Sequence, residues 1–261
     1  MEFDPAASTH DPRTQSSFDV EHRIKRNQQY AQSPGSWMLK LESFAKYVPR
    51  QSLARFLARY EMFKLIENVQ GSIVECGVQY GGGLMSFANI STICEPYNFQ
   101  RRIIGFDTFT GFPEVSETDL AGDPQRKSEH LKVGGFAAPE AREDLDKWIE
   151  LYDENRYLNH FPKVELVVGD FLQTCGPFIA ENAHLVVSCL YLDFDLYAPT
   201  KLALETFLPR IPRGGLIVFD ELNEAVFPGE TVAALELDLI RTLKIRRFPF
   251  EPRMAYAIVG E

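Results

Sequence analysis

IVECGVQYGGG, residues 73–83, reads as a strand, a sharp glycine turn and the start of a helix. Glycines bring a backbone close to a ligand, and the first turn of a helix offers unpaired N–H groups. Around this unit, strands are expected at Ser72–Cys76, Arg102–Phe106, Val164–Val168, Leu185–Leu192 and Leu216–Phe219. Helical stretches fall between them at Gly83–Cys94, Pro139–Tyr152, Pro199–Leu208 and Glu230–Leu243. HLVVSCLYLD (184–193) and GGLIVFD (214–220) are near-continuous apolar runs, which suits parallel strands covered on both faces. Strands alternating with helices point to a doubly wound α/β sheet. Upstream, Ser52 is a candidate N-cap for a helix whose apolar stripe is Leu53, Phe56, Leu57, Tyr60, Phe63 and Ile66. The chain closes with KIRRFPF (244–250) and MAYAIVG (254–260), two strands turning about Glu251–Arg253.

Of 261 residues, 45% are hydrophobic and 25% charged, a globular composition that excludes disordered, collagen-like and coiled-coil chains. The net charge of −10 argues against a nucleic-acid binder, which carries a basic face. Cys76, Cys94, Cys175 and Cys189 form no C-x-x-C pair and read as reduced thiols of a cytoplasmic protein. No apolar stretch approaches the ~18 residues of a membrane span, and residues 1–36 lack the apolar core of a secretory signal. Those 36 polar residues are expected to be a mobile tail or an arm over a partner or substrate, followed by one domain over 37–261. Within it, residues 110–136 (Thr110, then GFPEVSETDLAGDPQRKSEHLKVGGF) show no period and are read as a lid over the carboxyl ends of the strands.

Three nucleotide-type readings compete for the first turn. A dinucleotide fingerprint needs G-x-G-x-x-G, whereas Gly77 opens G-x-x-x-G-G-G; a phosphate-cradling loop needs Lys and Ser or Thr where Leu84 and Met85 stand. The third is an S-adenosylmethionine (SAM) loop, with Glu75 before the turn to accept from the cofactor's cationic amino end. A plain glycine turn with a capping glutamate is the alternative. Asp107 in IIGFDTFTGFP (103–113) ends the second strand, where an acid commonly holds ribose hydroxyls; it lies 30 residues after Gly77 rather than the ~20 of a dinucleotide site. VVGDF (167–171) sets Asp170 and Phe171 at the corner expected to meet an adenine.

Asp193 and Asp195 follow one apolar strand, and Asp220 and Glu221 follow another. Four carboxylates at one rim repel unless a cation or protons relieve them, and carboxylate oxygens suit Mg²⁺ or a similar hard cation. Solvated acidic loop ends are the alternative. His10, His22 and His184 receive no role, and His130 falls in the lid.

ECGVQYGG (75–82), GFDTFTGFP (105–113), LDFDLYAPT (192–200) and LETFLPRIPRGGLIVFDE (204–221) together resemble the macrocin O-methyltransferase family, from about residue 50 onward. The resemblance implies a class I methyltransferase (Rossmann-like) fold of seven strands with the last antiparallel, SAM as cofactor, Mg²⁺ dependence, and frequent dimers. It also implies methylation of a deoxysugar hydroxyl, nucleotide-linked or on a natural product. By the same resemblance Glu75, Gly77 and Gly82 lie at the methionine end of the cofactor, Asp107 and Thr108 at the ribose, and Asp170 and Phe171 near the adenine. Asp193 with Asp220 and Glu221 falls on the metal ligands, and Asp195 on the general base. Glu221 stands where the family usually has aspartate, and Gln79-Tyr80 where an aromatic-basic pair is frequent. Two rivals remain at this point: a metal-dependent glycosyltransferase using Asp193-Phe194-Asp195, and a catalytically silent SAM-binding protein.

Overall fold

The computed structural model describes residues 16–122 and 128–261, so residues 1–15 (with His10) and the lid residues 123–127 lie outside the described residues. The chain divides into two compact units, the first ending at Leu53 and the second beginning at Ala54. In the first, α1 (Ser17–Gln32) opens on a capping box in which Ser16 accepts from the Asp19 N–H and Asp19 accepts from the Ser16 N–H. Such a box satisfies two N–H groups that a helix start otherwise leaves unpaired. Ser36 caps α2 (Trp37–Glu42), and α3 (Phe44–Tyr47) follows. Lys40 Nζ donates to the Tyr30 carbonyl at 2.8 Å, and the Tyr30 ring meets the edge of Tyr47. The next helix, α4 (Arg50–Ile66), crosses the unit boundary.

The second unit is built on β1 (Ser72–Cys76), β2 (Ile103–Asp107), β3 (Val164–Val168), β4 (Val187–Leu192), β5 (Leu216–Phe219), β6 (Arg246–Phe248) and β7 (Glu251–Ile258). Among the described residues they form one sheet in the order β3-β2-β1-β4-β5-β7-β6, with β7 antiparallel to both neighbours and the inner strands parallel. This is the seven-stranded arrangement with an antiparallel last strand that the resemblance implies. Between the strands run α5 (Gly82–Cys94), α6 (Glu117–Leu120), α7 (Pro139–Glu154), α8 (Phe171–Glu181), α9 (Tyr197–Phe207), α10 (Gly229–Glu236) and α11 (Leu239–Thr242). Ile73, Cys189 and Val218 pack one face against α4, α5 and α7; Val74, Leu190 and Ile217 pack the other against α8, α9, α10 and α11. The register sets Glu75 beside Gly105 and Tyr191, and brings the carboxyl ends of β1, β2, β4 and β5 to one rim.

Several expectations need correction. Ser52 is not the N-cap: α4 already begins at Arg50. The buried stripe of α4 is Ala58, Arg59, Met62, Phe63 and Ile66, while Phe56, Leu57 and Tyr60 are exposed, because the helix turns two arginines inward. The span 230–243 is two helices, broken where Asp238 adopts φ 58°. The final turn is at Pro249 and Phe250, so Glu251–Arg253 already belongs to β7. Helix α8 has no counterpart among the expected helices, its period being interrupted by Gly176 and Pro177.

Arg101 ties the amino-terminal edge of this sheet. It is buried and donates to Glu95 (2.7 Å), to the Ser188 hydroxyl (2.6 Å), and to the carbonyls of Gly71, Val69 and Ile66. Lysine keeps the charge but not the planar fork of donors. Arg101→Lys is expected to cost about 2 kcal/mol in urea unfolding, from buried acceptors left unpaired; a change below half of that would show the network to be dispensable.

Candidate active site

The glycine turn and the end of β4 are stitched together by backbone. Asp193 donates its N–H to the Cys76 carbonyl at 2.8 Å, and Gly77 donates to the Phe106 carbonyl at 2.9 Å with φ +95°. A Cβ on Gly77 would lie 2.7 Å from the Asp193 carbonyl carbon and closer still to its oxygen. The Asp107 carboxylate holds this turn from the side: Oδ2 accepts from the N–H groups of Val78 (2.7 Å) and Gln79 (2.8 Å), and Oδ1 from Phe109 (2.6 Å). Its ligand-facing capacity is therefore one remaining acceptor position. Thr108 Oγ1 closes its own turn onto the Gly111 carbonyl at 2.7 Å. Gly82, the first residue of α5, borders open space, with nothing within 4 Å of a Cβ built there.

Asp170 caps α8 by accepting from the Leu172 N–H at 3.0 Å. Phe171 is buried, its ring packed on Phe106, Phe194 and Phe207, so it belongs to the core; Leu172, 40% exposed, is the apolar side chain left at that corner.

Glu75 is 1% exposed. Its Oε1 lies against Gly83, where any side chain would collide, and 3.8 Å from Arg59 Nη2; its Oε2 has no partner in the protein. Burial pushes the carboxyl up to about 7, with Arg59 pulling the other way. An orphaned carboxylate oxygen beside a glycine-lined helix start fits a cationic amino group such as that of SAM, since a buried acceptor left unmet is costly. Because a cation selects the ionised form, SAM affinity is expected to fall as pH drops below about 7, roughly ten-fold per unit. The same titration of Glu75→Gln should be weak and flat with pH; a wild-type profile that is flat from pH 8 to 6 would contradict the assignment.

The second half of the site is the acidic rim. Asp220 Oδ1 accepts from Arg55 Nη2 at 2.7 Å and from the Tyr191 hydroxyl, and Arg55 Nη2 lies 3.9 Å from Asp193 Oδ2. Tyr191 also receives Arg59 Nη2 at 3.3 Å, so Glu75 and Asp220 are linked through Arg59 and Tyr191. Glu221 donates its N–H to Glu230 Oε2 at 3.0 Å, and Glu230 is fully buried with Oε1 unmet. Asp195 is held at φ +61°. Asp193 and Asp195 are raised well above the usual carboxylate range, by burial first and then by their acidic neighbours. Glu221 rises to about 7 by burial and the nearby Asp220 charge, and Glu230 rises well above its ordinary value by burial. Among the described residues no three His, Cys, Asp or Glu side chains are set together to hold a metal ion.

The described part of 110–136 is tied to the fold and to itself. Asp119 in α6 is buried and accepts from the Tyr197 N–H at the start of α9 (2.7 Å); Gly134 and Gly135 pair with Phe112, and the His130 ring stacks on Phe136. The four cysteines are free. No helix of the described residues is long and apolar enough to cross a membrane.

Sequence reasoning missed Arg55, Arg59, Tyr191 and Glu230. The first two stand one turn apart on the stripe that Met62, Phe63 and Ile66 continue, an inward-facing pair of arginines that marks buried acids opposite. Tyr191 hid inside an apolar run, where only its hydroxyl carries the signal.

Comparison with known proteins gives concordant results. The profile of the macrocin-O-methyltransferase (TylF) family matches residues 48–233. A curated relative from Streptomyces olivaceus, 8-demethyl-8-(2,3-dimethoxy-α-L-rhamnosyl)-tetracenomycin-C 4′-O-methyltransferase, is 31% identical over 158 residues, which cover 60% of this chain and 55% of that one. The chain thus spans about half the length of the curated relatives it matches. The crystal structure of CalS11, calicheamicin methyltransferase, superposes with a TM-score of 0.88 at 30% identity, over 98% of this chain and 99% of that one. An apo structure of CalS11, described as a TDP-rhamnose 3′-O-methyltransferase, gives 0.80 at 27% identity over 97% and 100%. With the match running through the Asp193-Phe194-Asp195 strand end, that D-x-D belongs to a methyltransferase scaffold rather than a glycosyltransferase one. This chain is a member of the macrocin-O-methyltransferase family.

Proposed function

We propose that the protein is a SAM-dependent, metal-assisted O-methyltransferase acting on a deoxysugar hydroxyl, nucleotide-linked or carried by a natural product. One observation supports this above the others: a buried carboxylate with an unmet oxygen, Glu75, lies under a glycine turn whose backbone is stitched to a rim of four carboxylates. A cation-recognising floor and a hydroxyl-activating rim are thereby adjacent. When bound, SAM supplies an electrophilic methyl group on its sulfonium. The rim's donors are all carboxylate oxygens, the chemistry a hard cation takes; Asp193, Asp220 and Glu221 would hold it once drawn together, and it would lower the pKa of an acceptor hydroxyl.

The chain's own residues do the rest. Glu75 takes the methionyl ammonium, with Gly77 and Gly82 letting the backbone approach. Asp107 fixes the turn and has one acceptor position left for a ribose hydroxyl; Thr108 shapes the adjoining loop. Asp170, with Leu172 rather than the Phe171 ring, borders the adenine. Asp195 receives the acceptor's proton at a carboxylate oxygen, its basicity raised by burial and so brought nearer the working pH. The segment fastened through Asp119 excludes water. Cytoplasmic residence, in keeping with four free thiols, and a homodimer complete the reading.

Radiolabelled methyl transfer tests it. With methyl-labelled SAM and a panel of nucleotide-linked deoxysugars and rhamnosylated aglycones, label is expected in one sugar class and is expected to fall on adding EDTA. SAM binding without transfer to any acceptor would favour the silent binding protein instead.

A further inference from the structure

We propose that Arg55 is the resident cation of the acidic rim, bridging Asp193 and Asp220 until a divalent cation displaces it. This rests on the metal use proposed above. Arg55 Nη2 lies 2.7 Å from Asp220 Oδ1 and 3.9 Å from Asp193 Oδ2, so one guanidinium spans the two strand ends that a metal would join. Asp220 Oδ1 is at the same time the acceptor of the Tyr191 hydroxyl, so that oxygen has two donors and no room for a third tight partner.

Its neighbour on α4 shows the contrast. Arg59 is enclosed, its guanidinium 5.0 Å over the Tyr191 ring and directed at Glu75. The Arg55 side chain is 29% exposed and has a route to water, the incoming ion then neutralising the buried Asp220 carboxylate in its place. Two carboxylates within reach of one guanidinium repel each other unless a cation neutralises them. Arg55 therefore keeps the rim assembled before loading, and the divalent ion, with twice the charge and direct ligation, must overcome it. Metal affinity is weaker than the carboxylates alone would give, and the guanidinium is freed only when the ion is bound.

The test uses the full chain with Mn²⁺ as probe, followed by calorimetry and by electron paramagnetic resonance of the free ion. Arg55→Met is expected to bind Mn²⁺ about ten-fold more tightly than wild type, within the usual range for two ligands in competition; equal or weaker binding would overturn the proposal. Arg55→Lys serves if the methionine variant does not fold, with an intermediate gain expected. A direct readout needs no variant: in ¹⁵N-arginine spectra of wild type, the Arg55 Nε–H signal is expected to lose protection from exchange on saturation with Mg²⁺. Retained protection would show the guanidinium still seated and sink the exchange. A SAM titration on the same samples separates the two readings, since intact SAM binding with unchanged Mn²⁺ affinity removes only this inference.

Discussion

Asp195→Asn is expected to lower turnover by about 10²–10⁴-fold, the usual contribution of a positioned proton acceptor. The variant isolates chemistry from structure. Asp195 sits at φ +61°, and asparagine is among the few residues that occupy this region readily, so the backbone is kept. The side chain keeps its size and loses its basicity. SAM affinity should stay within about two-fold of wild type, because the cofactor contacts proposed above lie at the ends of β1, β2 and β3. Methyl-transfer kinetics with a thermal melt check both halves. A variant that retains a third or more of wild-type turnover would remove Asp195 from the role of base.

Gly77→Ala is expected to cost about 3–5 kcal/mol and to abolish measurable SAM binding, a loss in the range reserved for backbone conflicts in folded cores. Two effects add. At φ +95° a side chain is strained whatever the space, and here the space is taken by the Asp193 backbone, which cannot swing aside as a side-chain tip would. Moving it would break the Asp193–Cys76 hydrogen bond that ties the glycine turn to the end of β4. Gly82→Ala is the control, since a Cβ there meets nothing within 4 Å and global stability should be unchanged. Urea unfolding of both variants decides it; equal stabilities for Gly77→Ala and wild type would show that the turn is not as tightly stitched as described.

What was legible in the sequence follows physical lines. The parallel strands showed because they are buried on both faces and therefore apolar without interruption, as in Val187–Leu192 and Leu216–Phe219. The acids at their ends showed because they break such runs abruptly: Asp193, Asp195, Asp220 and Glu221 all reach the rim that the register creates. Asp107 and Phe171 were legible as positions but not as contacts. The Asp107 oxygens are engaged with three backbone N–H groups, and the Phe171 ring with three core phenylalanines, both decided by neighbours distant in sequence. The orientation of α4 was misread because apolar spacing alone fixes the stripe only when charged residues stay outside. Here Arg55 and Arg59 go in, drawn by Asp220, Tyr191 and Glu75 from three strands. An arginine's buried partner is a long-range fact, invisible until the sheet is assembled.

The central claim is that Glu75 is the floor of a SAM site. Calorimetric titration of the full chain with SAM at pH 8, with and without Mg²⁺, set beside the same titration of Glu75→Gln, tests it most directly. Micromolar binding to wild type and a loss of about 100-fold in the variant are expected, since a buried charge-assisted contact is worth a few kcal/mol. Equal SAM affinity in the two proteins, or none in wild type, would contradict the account.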